Sequence, residues 1–241
     1  MAAERVNAFL SHRGVASRRA ADRLVEAGRV AVNGRPARSG ALVDSGDTVT
    51  VDGRPVPERV ARRTVMVNKP RGVLSTRRDP GGRPTVLGMV DDPTGLAPVG
   101  RLDLTSRGLL LLTSDGELAL RLTHPRHGVT KRYRVVVAGI ASAATRRLLV
   151  RGVELADGPA RAVEAVPAGH RGADDVLEVL MAEGRKREVR RLCAAAGLQV
   201  LDLERIAIGP LRLGRLRPGD WRRLTARELG ELYAAAGLDP P

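Results

Sequence analysis

An acidic residue between two arginines is the first place where residue types and spacing indicate chemistry. Asp103 lies two residues after Arg101 and four before Arg107, and a run of four leucines, 109–112, follows directly. Fixed cations favour the ionised form of a neighbouring aspartate, and an ionised carboxylate can act as a nucleophile. A loop that runs into a buried strand also holds such a group in place. Taken alone, these residues fit a surface Arg–Asp pair better than a catalytic site.

Two other groups of potentially reactive residues have weaker support. Cys193 is the only cysteine, which excludes an intramolecular disulfide and a cysteine-based zinc site. It lies on the apolar face of a predicted helix and no pattern supplies a base for it, so a buried structural thiol is favoured over a nucleophile. His124 and His127 flank Pro125 without a matching acid cluster, which favours a loop over a metal site. We therefore predict no metal.

The charge of the chain indicates its partners. The 241 residues include 41 Lys and Arg against 27 Asp and Glu, a net charge of +14, which is typical of a nucleic-acid binder. High charge can also serve solubility alone. Only Lys69, Lys131 and Lys186 are lysines; the remaining basic residues are arginines, which suit phosphates and base edges but also accumulate in GC-rich genomes. Aromatic residues make up 2%, which argues against modules that stack several bases.

The composition also limits the class of protein. With 43% hydrophobic residues the chain can form a packed core, which argues against wholesale disorder. No apolar stretch approaches the roughly 18 residues that a membrane helix needs. The first residues lack the apolar core of a secretory signal. We expect a cytoplasmic monomer of one large or two smaller domains, without a membrane or an obligate protein partner.

The first sixty residues have the pattern of a small α+β module. We predict a helix around Phe9 and a second helix over 18–27, capped by Ser17. A strand over 30–32 follows, then the Asn33-Gly34 turn, and a later strand covers 47–51. Residues 1–62 carry a net charge of +4, and residues 63–241 a net charge of +10. Both parts of the chain are therefore basic.

This first part resembles the S4 domain, an RNA-binding module. The resemblance covers nearly all of residues 4–53, including "SRRAADRLVEAGRVAVNG" and the Gly46-Asp47 turn before the last strand. It implies that the second helix and the loop after it contact the RNA backbone. The residues concerned are Arg18, Arg19, Arg23 and Arg29. The alternative is a solvated basic helix face.

The rest of the chain alternates between strand and helix patterns. We predict strands at 64–67, 109–112, 131–137, 176–180 and 200–206, and helices at 85–90, 117–122, 143–151, 187–196 and 227–236. This order indicates an α+β fold rather than a repeated βαβ arrangement. We divide the chain into a first domain over 1–60, a second domain over 64–232 and a C-terminal tail over 233–241. A linker begins at Pro55, and its last part covers 61–63.

Four motifs then occur in order. They are "VNKPRGVLST" at 67–76, "GRLDLTSRGLLLLTSDGELA" at 100–119, "HPRHGVTKRYRV" at 124–135 and "EGRKREVRRLCAAAGLQVLDLERIAIGPLRLGRLRPGDWRRLT" at 183–225. In this order, after an S4-like module, they resemble the pseudouridine synthases of the RsuA/RluB/RluE/RluF type. The resemblance covers most of residues 4–232. It implies that 64–232 is a catalytic domain with the pseudouridine synthase fold, a mixed, largely antiparallel sheet flanked by helices.

The resemblance implies isomerisation of uridine to pseudouridine in structured RNA, without a metal or organic cofactor. It makes Asp103 the catalytic nucleophile and Tyr133 the aromatic residue that stacks on the base and assists proton removal. Arg190 matches the basic residue that pairs with the aspartate, and Leu203 the apolar residue that packs on the base. A base must leave its stack at a cost of a few kcal/mol, and an aromatic face recovers about 1–3 kcal/mol of that cost.

Further basic residues are expected to contact RNA. They are Lys69, Arg71, Arg101, Arg107, Arg185, Lys186, Arg187 and Arg191. Among them, Arg101 is expected to fill the space that the flipped base leaves. Glu188 stands where the resembled family usually has Gln, and we expect it to alter RNA contacts.

The predicted partner is ribosomal RNA or a ribosomal subunit precursor, with 23S rRNA preferred. One alternative is the same chemistry on 16S rRNA or tRNA. The other is a non-catalytic RNA-binding or ribosome-assembly protein. Retention of Asp103, Tyr133 and Arg190 together favours the enzyme.

Overall fold

The computed structural model describes residues 3–57 and 62–239, which form two compact units. The first unit contains the described residues up to Arg63, together with Asp92–Leu96 and Ser114–Gly116. The second contains Thr64–Asp91, Ala97–Thr113 and the described residues from Glu117 onward. Part of the predicted linker, residues 58–61, lies outside the described residues.

The first unit packs two helices against short strands. The helices are α1 (Val6–His12) and α2 (Arg18–Glu26), and the strands are β1 (Glu4–Arg5), β2 (Val30–Val32), β3 (Arg35–Pro36), β4 (Leu42–Val43), β5 (Val49–Val51) and β6 (Arg54–Pro55). An antiparallel sheet has the order β3-β2-β5-β6, and β1 pairs with β4. The Ser17 side chain caps α2, and Asn33 and Gly34 take positive φ in the β2–β3 turn, as predicted. Phe9, Leu10 and Val25 form its small core with the strands.

Over the residues that the structure describes, the second unit is built on a nine-stranded sheet. The strands of this unit are β7 (Thr64–Lys69), β8 (Ala97–Pro98), β9 (Arg107–Thr113), β10 (Lys131–Val137), β11 (Val153–Leu155), β12 (Gly158–Ala160), β13 (Glu164–Arg171), β14 (Asp174–Met181), β15 (Val200–Ile208), β16 (Leu211–Arg212) and β17 (Trp221–Arg223). The sheet order is β13-β14-β10-β15-β9-β7-β17, with β16 beside β15 and β8 beside β9, while β11 and β12 form a separate hairpin.

Four helices accompany these strands in the described part of the second unit. They are α3 (Gly116–Thr123), α4 (Ala143–Arg151), α5 (Glu188–Ala195) and α6 (Ala226–Ala235). The predicted helix at 85–90 is a single 3-10 turn, Val86–Met89, and a second such turn spans Pro125–His127. In the described part of the chain, no helix is long and apolar enough to cross a membrane. The α+β fold with a mixed, largely antiparallel sheet is confirmed.

The centre of the large sheet holds a parallel pair, β15 with β9. Its register joins Glu204 to Arg107 and Arg205 to Gly108. Gly108 has φ of 107°, and a Cβ there would lie 2.7 Å from the backbone nitrogen of Arg205. The close approach therefore requires glycine. It brings the end of the Asp103 loop directly against the strand that carries Leu203.

The core of the second unit explains the leucine run. Leu109 and Leu111 pack in one cluster with Met66 and Leu122, and the intervening leucines are buried on the opposite face. A strand buried on both faces reads as a continuous apolar run. Tyr233 also belongs to this core, so the predicted tail from residue 233 is wrong at its start, since α6 continues through that boundary.

Candidate active site

A cavity of about 380 Å³ opens beside Asp103 in the second unit. Its lining comes from the loop before β9, the end of α3, strands β10 and β15, and the segment that leads into α5. The residues that matter here are Arg101, Asp103, Lys131, Tyr133, Lys186, Arg187, Leu203 and Arg205. The volume lies within the range of about 300–1,000 Å³ typical of ligand sites. The cavity thus brings together segments that are more than a hundred residues apart in the sequence.

Hydrogen bonds from Ser75 and within the loop hold the Asp103 loop in place. The Ser75 hydroxyl donates to the Leu102 carbonyl (2.9 Å) and accepts from the Leu102 N–H (3.1 Å). The Asp103 carbonyl accepts from the Ser106 N–H (3.0 Å), which closes the turn. The half-buried Asp103 carboxylate forms no ion pair with any residue that the structure describes. It is therefore held in place while its oxygens remain available to a substrate.

Lys69 supports this loop from a fully buried position. Its Nζ donates to the carbonyls of Ser106 (2.8 Å) and Pro70 (2.9 Å). Burial lowers the pKa of Lys69 to about 8, although the nearby charge of Asp103 acts in the opposite direction. The expectation that Lys69 contacts RNA is wrong, because its ammonium group is inside the protein and its donors serve the loop.

Tyr133 and Leu203 form neighbouring parts of the cavity wall. Tyr133 on β10 pairs with Arg205 on β15, and Leu203 precedes Arg205 on the same face of β15. Both Tyr133 and Leu203 are buried apart from their cavity-facing surface. One ring and one branched apolar side chain beside a carboxylate can hold a flat, uncharged ring next to a nucleophile.

Arg190 lies on α5 and is half-buried. Its Nη1 donates to the Val200 carbonyl (3.3 Å), and its buried Nε has no hydrogen-bond partner among the residues with described positions. Burial and the charge of Arg187 lower the pKa of Arg190, and the charge of Asp103 opposes this effect. Within the described ranges no direct ion pair joins Arg190 to Asp103. The expected contact is thus absent from this structure, and the two groups interact at longer range.

Exposed cations surround the mouth of the cavity. Arg101, Lys186 and Arg187 all line it, are exposed, and have no ion-pair partner in the part of the chain that the structure describes. Arg187 takes the left-handed conformation with φ of 53°, which is uncommon for a residue other than glycine. These three side chains give the mouth of the cavity a positive charge, which favours anionic ligands.

Other predicted RNA contacts already have internal partners. Arg107 and Arg71 bind the buried Asp202 carboxylate (3.0 and 2.6 Å), and Arg185 and Arg191 bind Asp157 (3.3 and 2.7 Å). In the first unit, Arg29 pairs with Asp52 (2.6 Å), whereas the α2 arginines are exposed: Arg18, Arg19 and Arg23. These ion pairs link side chains within each unit, so the paired arginines have a structural role.

Glu188 acts inside the protein rather than at its surface. It is buried and accepts hydrogen bonds from the backbone N–H (3.0 Å) and the Nε (2.9 Å) of Arg185. These bonds close the segment that leads into α5. The expectation that Glu188 alters RNA contacts directly is therefore replaced by a structural role.

Cys193 is fully buried on α5, and burial raises its pKa to about 12. The prediction of a structural thiol is confirmed, because a nucleophilic cysteine needs a lowered pKa. His124 and His127 lie on the exposed turn after α3, and no group of residues suited to a metal ion occurs in the described ranges.

Sequence reasoning missed two cations inside the cavity, Lys131 and Arg205. Both line it while being almost completely buried. Each lies two residues from a predicted site residue on the same strand, Tyr133 on β10 and Leu203 on β15. Alternation along these strands is the signal that could have found them, because it directs both side chains toward the same face as the predicted pair.

Comparisons with known proteins agree with this geometry. Residues 63–195 match the family model for RNA pseudouridylate synthase, and residues 4–49 match that for the S4 domain. A protein of Aquifex aeolicus named "Uncharacterized RNA pseudouridine synthase" is 45% identical over 239 residues, covering 97% of this chain and 95% of its own.

A second relative carries a more specific name. "Ribosomal large subunit pseudouridine synthase B" of Vibrio cholerae is 40% identical and covers 98% of this chain and 76% of its own. Among solved structures, "Crystal structure of pseudouridylate synthase" has a TM-score of 0.67 at 28% identity, over 95% of this chain and 99% of that one. The likeness therefore extends over both units of the chain.

Proposed function

Since the chain belongs to the RNA pseudouridylate synthase family, an isomerase family that acts on RNA, we propose that it modifies a specific uridine of large-subunit ribosomal RNA. Relatives named for the large ribosomal subunit support this target. The observation that carries the proposal is the Asp103 carboxylate, which forms no ion pair with a described residue, at a cavity of about 380 Å³ with Tyr133 and Leu203 in its wall. The exposed cations at the mouth suit an RNA backbone.

The proposed reaction uses the cavity residues in sequence. The target uridine leaves its stack, and its base lies against Tyr133 and Leu203. The Asp103 carboxylate attacks ribose C1′ as the C1′–N1 bond breaks, and the bonding electron pair stays on the uracil. After the base turns, its C5 bonds to C1′ and the carboxylate leaves. The C5 proton is then lost, with assistance from Tyr133, and N1 gains a proton.

Arg190 and Arg101 have supporting roles in this proposal. Arg190 approaches Asp103 when RNA binds and keeps the carboxylate ionised, because an opposite charge nearby favours the charged form. Arg101, exposed at the mouth, occupies the space that the flipped base vacates. No cofactor takes part.

The two units have different proposed roles, RNA binding and catalysis. The first, proposed to end near residue 60, binds RNA backbone through α2, and the second, beginning at residue 64, carries the chemistry. We assign the protein as a cytoplasmic monomer whose substrate is ribosomal RNA or a subunit precursor.

Pseudouridine mapping tests the proposal. Ribosomal RNA and subunit precursors are treated with wild-type protein, with Asp103→Asn and with the control Asp91→Asn, which changes an exposed carboxylate outside the cavity. We expect one modified uridine with wild type and the control, and a loss of turnover of at least about a thousandfold in Asp103→Asn with RNA affinity almost unchanged. A modified site in 16S rRNA or tRNA would correct the target. Full activity of Asp103→Asn would remove that residue from its role.

A further inference from the structure

The cavity contains two buried cations that the proposed mechanism does not use. Lys131 is 7% exposed and Arg205 is 4% exposed, and both line the cavity. Arg205 lies directly opposite Tyr133 in the β10–β15 ladder, and Lys131 precedes Tyr133 by two residues. These cations therefore belong to the part of the cavity where the base is proposed to lie.

Neither cation forms an ion pair with a residue that the structure describes. The Nε of Arg205 donates to the Leu109 carbonyl (2.7 Å), but its buried Nη2 has no hydrogen-bond partner among the described residues. Lys131 forms no ion pair with a described residue, and Glu188, whose charge acts on it, already accepts two hydrogen bonds from Arg185. Burying a charged donor such as the Arg205 Nη2 without an acceptor is unfavourable, so the arrangement is explained if a ligand supplies the acceptor.

Lys131 shows the electrostatic effect of this arrangement. Burial lowers the pKa of Lys131 to about 8, the charge of Arg205 lowers it further, and Glu188 acts in the opposite direction. An acceptor that carries negative charge would relieve both the burial and the repulsion between the two cations.

The detached base has the matching chemistry. When the C1′–N1 bond breaks with its electron pair on the uracil, the negative charge spreads over N1, O2 and O4. We propose that Lys131 and Arg205 donate hydrogen bonds to the carbonyl oxygens of the target uracil and stabilise this charge. Fixed cations in a site shielded from water are effective for charge that develops during a reaction. This inference rests on the proposed function of the cavity.

The same contacts discriminate between the two pyrimidines. Cytosine carries an amino group where uracil has O4, and an amino group is a donor. A cation facing that position would be left without its acceptor, which disfavours cytidine. The exposed cations Arg101, Lys186 and Arg187 are left to bind phosphates at the mouth.

Atomic substitution in the RNA tests the inference. The RNA that contains the mapped target is prepared with uridine, 2-thiouridine or 4-thiouridine at that position, because sulfur accepts hydrogen bonds more weakly than oxygen. Single-turnover rates are measured for wild type, Lys131→Met and Arg205→Lys. We expect each variant to be slowed about tenfold or more on uridine. On the thio-base whose oxygen it contacts, each variant should show little of the slowing that wild type shows.

Controls separate this role from a structural one. Lys131→Arg should restore much of the rate and the sensitivity to sulfur, and Arg147→Gln, an exposed arginine of α4, should match wild type throughout. Far-ultraviolet circular dichroism and unfolding midpoints identify any variant that fails to fold, in which case the other variant decides. If the slowing by each protein variant and the slowing by sulfur are additive at both O2 and O4, the inference is wrong, while the proposed function is unaffected. A wild type that modifies no uridine would overturn the proposed function and this inference together.

Discussion

At the scale of single residues, the charge of Lys131 should make the reaction rate depend on pH. Burial and the charge of Arg205 lower the pKa of Lys131 to about 8, and the charge of Glu188 acts in the opposite direction. Glu188, Arg205 and Tyr133 line the same cavity as Lys131. The ammonium form is the stronger hydrogen-bond donor, so the single-turnover rate at subsaturating RNA, which reports ionisations of the free protein, should fall as pH rises through about 8.

Rates between about pH 6.5 and pH 9.5 check this prediction. Lys131→Met should show a lower rate without that decline, which separates Lys131 from the ionisation of the RNA bases. Identical profiles of wild type and Lys131→Met would contradict it.

Single residues were predicted unequally well from the sequence. Asp103, Tyr133 and Leu203 do line one cavity, although their catalytic roles stay predictions. Lys69 was placed at the RNA because a lysine is normally exposed, and sequence alone does not show that two carbonyl groups hold its ammonium inside. Arg205 was missed because a cation in a strand normally faces solvent.

At the scale of elements, the contact between β9 and β15 depends on Gly108. Its φ of 107° and the nearby Arg205 backbone leave no space for a Cβ. Gly108→Ala should therefore destabilise the second unit by about 3 kcal/mol or more and reduce turnover, since it separates Asp103 from Leu203.

Urea unfolding measures the change. Gly230→Ala is the matched control, because Gly230 lies in α6 with no atom within 4 Å of its added Cβ. That variant should be more stable by about 0.5–1 kcal/mol. Similar stabilities of the two alanine variants would contradict the role of Gly108.

Helix α6 should make the stability of the second unit sensitive to acid. Thr225 and Glu228 form a capping box, and Arg222 donates to both Glu228 oxygens (2.6 and 2.7 Å). The hydrogen bonds from Arg222 lower the pKa of Glu228 to about 2. A carboxylate with a lowered pKa stabilises the folded state above its ordinary pKa of 4.5, and this contribution is lost as pH falls through about 2.

The comparison of Glu228→Gln with wild type tests this. The variant should be less stable by about 1 kcal/mol at pH 7, and the difference should shrink as pH falls toward about 2. Glu231→Gln, an exposed carboxylate on the same helix, should change stability little at any pH. A difference for Glu228→Gln that stays constant with pH would exclude the ion pair as its cause.

Elements with regular apolar patterns were predicted closely, and irregular ones were missed. Strand β10 and helix α4 have the predicted bounds. Strand β13 was missed because it is an exposed edge strand that contains Pro167 and Gly169, residues that weaken a strand pattern. It forms through pairing with β14, a partner that no local pattern reveals.

At the scale of the molecule, the first unit is predicted to contribute RNA affinity and not chemistry. The exposed α2 residues Arg18, Arg19 and Arg23 supply the positive charge. Replacing all three with Gln in the full chain should weaken RNA binding and lower the slope of log affinity against log salt by about 2. The rate at saturating RNA should stay near that of wild type.

A control with the same loss of charge is available in the second unit. Arg147, Arg151 and Arg161 are exposed and lie outside the proposed site, so their triple Gln variant should keep most of the salt dependence. Equal slopes for the two triple variants would show that net charge, rather than α2, determines binding.

The burial of Cys193 has a consequence for how the molecule can be observed. As the sole cysteine, fully enclosed on α5 and with a pKa of about 12, it is poorly reactive toward maleimides while the protein is folded. A new cysteine on an exposed position could therefore carry a fluorophore without competition from the native one. The rate at which Cys193 itself is labelled would measure how often α5 opens, and so the frequency of local unfolding beside the cavity.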